Sequence, residues 1–139
     1  MKNKETWDYI EPKPGDQIRV KRANYYHHGI YVSHNEVIQF GHGDERDAGH
    51  SERIDINKVT LTEFLKGGFL EIRVYSRKEL NKRNDPTKTI QIAQQCLGKR
   101  GYHILDNNCE HFSNFCVFNK RYSSQTESFT NEVLKKVKK

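Results

Sequence analysis

Polar and apolar positions alternate along much of the first half of the chain and change to helical spacing in the second. Gln17-Ile18-Arg19-Val20-Lys21-Arg22 alternates with a period of two, the pattern of a half-buried strand. Tyr25 to Val32 is a β-rich run, a short turn falls at Ser33-His34-Asn35, and Glu36-Val37-Ile38-Gln39-Phe40 returns. Together they predict a hairpin. Residues 41–51 have no period and read as a loop, with glycines at 41, 43 and 49. Arg53 to Ile56 predicts a short strand, and Phe69 to Tyr75 a longer alternating one. Between them, Thr60 and Glu63 have capping-box spacing, and Gly67-Gly68 closes the short helix they begin. Asp85-Pro86 opens a helix whose apolar stripe is Ile90, Ala93, Cys96 and Leu97. Asn107 or Asn108 caps another, with Phe112, Phe115, Cys116 and Phe118 at helical spacing behind it. A last amphipathic helix carries Phe129, Val133, Leu134 and Val137. Strands first and helices later imply an α+β fold, an antiparallel sheet of about four or five strands carrying helices on one side.

Composition bounds this picture. A chain of 139 residues suits one domain with a modest core, and 34% hydrophobic against 30% charged residues implies a polar surface. Residues 1–11 read as an N-terminal extension, residues 12–122 as the domain, and 123–139 as a basic amphipathic tail. The charged start is followed by no apolar segment, and no run reaches the roughly 18 apolar residues of a membrane span. A cytoplasmic protein is the expectation. Three cysteines, an odd number, argue against a disulfide framework. The net charge of +6 attracts phosphates, and Lys135, Lys136, Lys138 and Lys139 could hold the tail on an anionic bilayer. No basic stripe with interleaved aromatics is present, so nucleic acid is not an expected partner.

The chemistry concentrates at Asn108-Cys109-Glu110-His111-Phe112. A thiol at a helix N-terminus meets backbone N–H groups and the positive end of the helix dipole, which favour the thiolate and lower its pKa. Such a nucleophile needs a base and a group that orients the base. His111 lies about 200° around the helix from Cys109 and is a poor base for it. The same angle places Cys109 and His111 on opposite sides as metal ligands, so neither zinc nor another cofactor is expected. The hairpin offers His27 and His28, and Gln39 on the returning strand can accept from an imidazole N–H. Parity decides between them. A two-residue turn at His34-Asn35 sets Ile30 opposite Gln39 and gives His28 its face, whereas a three-residue loop sets Tyr31 opposite Gln39 and gives His27 its face.

Asn-Cys-Glu-His-Phe at 108–112, with His-His-Gly-Ile-Tyr-Val at 27–32, resembles the lecithin:retinol acyltransferase family, which includes phospholipase/acyltransferases and shorter bacterial members. Pro14-Gly15-Asp16, Phe64 to Gly68 and Gly101-Tyr102 also look like the family, and the likeness spans roughly residues 12–122. It implies a circularly permuted papain-like fold, shared with NlpC-type peptidases, with the catalytic cysteine at a helix N-terminus. It further implies Cys109 as nucleophile and His27 as general base, since His27 stands three before the Ile of Gly-Ile-Tyr. His28 remains the alternative base. Gln39 stands where the family usually has a second histidine and would orient His27. Tyr102 and the Cys109 N–H are candidates to stabilise an oxyanion. The implied activity is thiol acyl transfer or hydrolysis on a glycerophospholipid or other acyl ester. A peptidase or amidase, or a non-catalytic lipid-binding or interaction module, are the alternatives.

Overall fold

A computed structural model describes residues 5–47, 53–101 and 108–120. Its strands are β1 (Thr6–Asp8), β2 (Gln17–Lys21), β3 (Tyr26–Ser33), β4 (Glu36–Phe40), β5 (Ile56–Val59) and β6 (Leu70–Val74). Its helices are α1 (Leu61–Leu65), α2 (Arg77–Lys82), α3 (Pro86–Gln95) and α4 (Cys109–Phe118). The strands form one six-stranded sheet in the order β1-β6-β2-β3-β4-β5, every neighbour antiparallel. The fold is α+β. None of the described helices is long and apolar enough to cross a membrane. The tail at 123–139 lies outside the described residues.

Alternation assigns the two faces of the sheet. Ile18, Val20, Tyr31, Val37 and Ile72 point one way and bury against Leu61 and Phe64 of α1. Ile30, Ile38, Phe40 and Ile56 point the other way, against Ile92 and Ala93 of α3 and Phe112, Phe115 and Cys116 of α4. Helices therefore cover both faces, not one. α1 is short but held by its predicted capping box, Thr60 accepting from the Glu63 N–H.

Three elements differ from the sequence reading. The sheet gains an edge strand because Thr6–Asp8, within the stretch read as an extension, pairs with β6. Its burial pattern is mostly exposed, so it has no hydrophobic alternation to detect. α2 has no buried residue and hence no stripe, yet Ser76 and Glu79 form a capping box that starts it. β5 begins at Ile56 rather than ending there, because its register follows the pairing of Phe40 with Ile56.

α4 is fixed at its middle and at its end. Halfway along it, Gln17 Nε2 donates to Ser113 Oγ (2.8 Å) and Asn114 Oδ1 (2.9 Å), while Arg73 Nη1 donates to Asn114 Oδ1 (3.1 Å). At its end, Asn84 Nδ2 donates to the Cys116 carbonyl at 3.0 Å and to Asn119 Oδ1 at 2.9 Å. These buried bonds join β2, β6 and the α2–α3 connection to the helix that carries Cys109. Buried partners of this kind hold one geometry because an unpaired polar group there costs about 1–3 kcal/mol.

Candidate functional site

The hairpin turn is the two-residue one, with Ser33 paired to Glu36. Left uninterrupted, that register would set Ile30 opposite Gln39. A β-bulge at Val32 intervenes, and Gly29 faces Gln39 instead. The three-residue loop is thus not the arrangement, but the bulge changes parity as that loop would have done. His27 and Gln39 share the α1 face, and His28 points to the α4 face.

His27 is 1% exposed, and its Nε2 lies 2.8 Å from Gln39 Oε1. The neighbouring bonds set the tautomer. Asn57 Nδ2 donates to the carbonyls of Gly41 (3.1 Å) and Asp55 (3.2 Å), so Asn57 Oδ1 is an acceptor. It accepts from Gln39 Nε2 at 2.9 Å, which turns Gln39 Oε1 toward the imidazole. His27 Nε2 must then carry the proton, leaving Nδ1 as the basic lone pair. Asn57 went unnoticed in the sequence. Its one signal is an amide residue on the strand beside Gln39.

Two residues press on the ring. Phe64 stacks on it at 5.1 Å between centroids. Gly43 lies so close that a Cβ there would come within 2.6 Å of His27 Cγ. The loop carrying Gly43 is tied down over residues 41–47. Asp47 accepts from the N–H groups of His42 (2.8 Å) and Gly43 (2.7 Å), and Arg22 Nε donates to the Gly43 carbonyl at 2.7 Å. Gly43→Ala is expected to displace the imidazole and lower turnover by roughly 10- to 100-fold, from the cost of misplacing a reacting group. Gly67→Ala is its control. Both glycines have positive φ (72° and 80°), but a Cβ at Gly67 meets nothing within 4 Å. Thermal unfolding should fall for both variants, and turnover for Gly43→Ala alone.

Cys109 is the first residue of α4, capped by Asn108, whose side chain accepts from the Glu110 and His111 N–H groups. His111 Nδ1 accepts in return from the Asn108 N–H at 3.2 Å. The adjacent histidine therefore serves the cap. The Cys109 thiol does not face a ring across a sheet face. It lies at the edge of β3, accepting from the His28 N–H at 3.5 Å and directing its S–H toward the Tyr26 carbonyl at 4.0 Å. Those two peptide groups flank His27. They are free for the thiol because β4 pairing begins only at Gly29. In a strand, the N–H of the next residue and the carbonyl of the previous one point to the same edge, so the thiol sits beside the His27 backbone.

The electrostatics correct one expectation. Burial pushes the Cys109 thiol up to about 12, against the helix-start and His28 N–H contributions that lower it. Desolvation of a thiolate outweighs a helix end here. Burial also lowers His27 to about 4, despite the Gln39 bond that raises it, and lowers His28 to about 3. At neutral pH the site holds a thiol and neutral imidazoles. Unfolded histidines take up protons near pH 6.5, whereas the folded ones resist until about 4 and about 3. The unfolded state therefore binds more protons over that window, and stability falls as pH drops from 6.5. A loss on the order of 3–5 kcal/mol per histidine is the upper bound, of which roughly 2–3 is reached by pH 4.5. Urea unfolding at pH 7 and pH 4.5 should show it, with a shallower slope for His28→Gln.

A cavity of about 600 Å³ opens beside the thiol, lined among others by Arg19, Tyr25, Tyr26, His28, Asn108 and Cys109. His28 Nδ1 is buried without a hydrogen-bond partner. Among the described residues, His27 is thus joined to Gln39, the Cys109 thiol meets the peptide groups on either side of His27, and Cys109 and His28 share the cavity lining. Tyr102 lies outside them.

The family model described as lecithin retinol acyltransferase matches residues 10–122. The chain is similar to lecithin retinol acyltransferase of Rattus norvegicus, 30% identical over 139 residues, covering 86% of this chain and 60% of that protein. It is also similar to phospholipase A and acyltransferase 3 of Mus musculus, 31% identical over 113 residues, covering 75% of this chain and 69% of that protein. The Homo sapiens protein of the latter name is 30% identical over the same length. The chain spans 60% of the length of the lecithin retinol acyltransferases it matches.

Proposed function

The chain belongs to the lecithin retinol acyltransferase family, and on that premise we propose that it is a cysteine-dependent acyltransferase or phospholipase acting on a glycerophospholipid or similar acyl ester. The observation that carries this reading is the Cys109 thiol held between the peptide groups flanking His27, whose ring is fixed by Gln39. A permuted papain-like arrangement is part of the same proposal.

Sγ attacks the ester carbonyl carbon as its proton passes to His27 Nδ1. The proton leaves during attack, because a thiol near 12 and an imidazole near 4 form no stable ion pair at neutral pH. The Cys109 N–H, at the open first turn of α4, stabilises the oxyanion, with Tyr102 as a second donor. The C–O bond of the ester breaks, the imidazolium protonates the departing alkoxide, and an acyl-cysteine thioester remains. Water, a hydroxyl or an amine then attacks the thioester, giving up its proton by way of His27. The thiol is regenerated. Gln39 accepts from the imidazole throughout, and Asn57 keeps its amide turned.

One observation favours a second assignment of the base. His28 lines the cavity with Cys109 and points to the α4 face, whereas His27 points to the α1 face. The reaction is the same with either ring. A membrane-surface role for the basic segment 123–139 belongs to the proposal on charge alone.

The test is intact-mass analysis after incubation with phosphatidylcholine vesicles. An adduct of fatty-acyl mass, absent from Cys109→Ala, is expected. Labelling by a peptide-based electrophile with no lipid adduct would transfer the reading to a peptidase or amidase. A thiol inert to both would leave a non-catalytic module.

A further inference from the structure

Arg19 lies in β2, directly across from His28 in β3. Its side chain lines the cavity that contains the Cys109 thiol. The guanidinium is held on three sides. It lies over the Trp7 ring at 4.2 Å and over the Tyr26 ring at 3.8 Å. Nε and Nη2 both donate to Glu71 Oε1, at 3.0 Å and 2.9 Å. The Trp7 indole is itself anchored by a 3.1 Å bond to Glu5. Among the described residues Nη1 makes no hydrogen bond. A cation this constrained has already lost its rotamer freedom, so a ligand that pairs with the remaining edge does not have to order it.

Two of the cavity's carboxylates are engaged by other groups. Asp44 pairs with Arg46 (2.7 Å) and Lys66 (3.2 Å). Asp47 accepts from two loop N–H groups. Glu110 is held above the ordinary carboxylate range by partial desolvation and by Glu5, against the opposing charges of Arg73 and Arg19. The exposed edge of Arg19 is thus the cavity's available donor for an anion. The Arg19 backbone lies one strand spacing, roughly 5 Å, from that of His28, whose N–H the thiol accepts from, and both residues line the cavity with Cys109. The acyl carbonyl and the phosphate of a glycerophospholipid are likewise joined through one short glycerol backbone.

We propose that Arg19, clamped between Trp7 and Tyr26, reads the phosphate of the acyl donor and so selects phosphate-bearing esters at the Cys109 site. The inference rests on Cys109 being the acylated residue. Arg19 acts on substrate choice and takes no part in proton transfer.

Trp7 is the only tryptophan in the chain, so its fluorescence reports directly on the clamped guanidinium. This gives a binding readout that does not require turnover. Titration with sn-glycerol 3-phosphate, and separately with phosphatidylcholine vesicles, should change Trp7 emission saturably in the wild-type chain. Arg19→Gln should abolish the response, and Arg19→Lys should weaken it because the fork is lost. A response to the soluble phosphate shows that the phosphate alone is read, and a response to vesicles alone that the phosphate is read within the lipid. Silence toward both overturns the proposal.

The kinetic arm compares kcat/KM for phosphatidylcholine with that for p-nitrophenyl butyrate, an uncharged ester. Arg19→Gln should lower the ratio at least 10-fold, through KM. An unchanged ratio would reduce Arg19 to a strut between β2 and β6 and overturn the proposal. A wild-type chain that binds phosphate through Trp7 but never forms an acyl-cysteine would sink the proposed function and leave the phosphate site standing.

Discussion

Cys109→Ala should lower turnover of an acyl ester by on the order of 10³-fold or more and eliminate the acyl-protein adduct. The thiol, held by the His28 N–H and the Tyr26 carbonyl of β3, is the proposed nucleophile. Alanine leaves the helix start intact, because the Asn108 side chain still accepts from the Glu110 and His111 N–H groups. Folding should therefore survive, and thermal unfolding of the variant is the control. Cys109→Ser tests the same point without a cavity. Its hydroxyl is a far weaker nucleophile, and the pH dependence of alkylation by iodoacetamide should vanish with the thiol. In the wild-type chain that alkylation should keep rising to high pH, since burial holds the thiol near 12. Retained turnover in both variants would remove Cys109 from the chemistry.

His27→Ala is expected to cost about 10² to 10⁴-fold in turnover, the usual worth of a positioned general base. The ring donates its one N–H to Gln39, which leaves the other nitrogen as the basic one, the tautomer that the proposed role needs. Gln39→Ala should lose less, because the imidazole stays but can rotate or change tautomer. Gln39→Glu should raise the imidazole pKa and move the acid limb of the pH profile upward. Added imidazole should partly restore His27→Ala and leave Gln39→Ala unchanged. His28→Ala is the decisive comparison. With His27 as base, His28→Ala keeps most of the activity and its pH profile. If instead His28→Ala carries the larger loss and responds to imidazole, the base is the ring on the α4 face.

Much of the fold was legible because it rests on local rules. The alternation of β2 and β6, the caps at Thr60, Asp85 and Asn108, and the stripe of α4 all act over a few residues. The elements that escaped detection lack a hydrophobic face. β1 is an edge strand stabilised by its partner, and α2 is a surface helix held by its cap. Gly43 and Asn57 escaped for a different reason. Gly43 is needed because His27 comes close to it in space, and Asn57 matters only through the register that sets it opposite Gln39.

Sequence alone determined an α+β chain with Cys109 at a helix start and two histidines followed by Gln39 on a hairpin. It could not determine which histidine meets Gln39, because side-chain direction in a strand has a period of two and a single extra residue reverses it. The bulge at Val32, which no residue type announces, made that choice in favour of His27. Nor could it determine the state of the thiol. The helix start that favours a thiolate is local and readable, but the burial that opposes it comes from β3 and the helices packed around the site. In a medium that excludes water, desolvation prevails over a half-charge at a helix end, and only the assembled structure sets that balance.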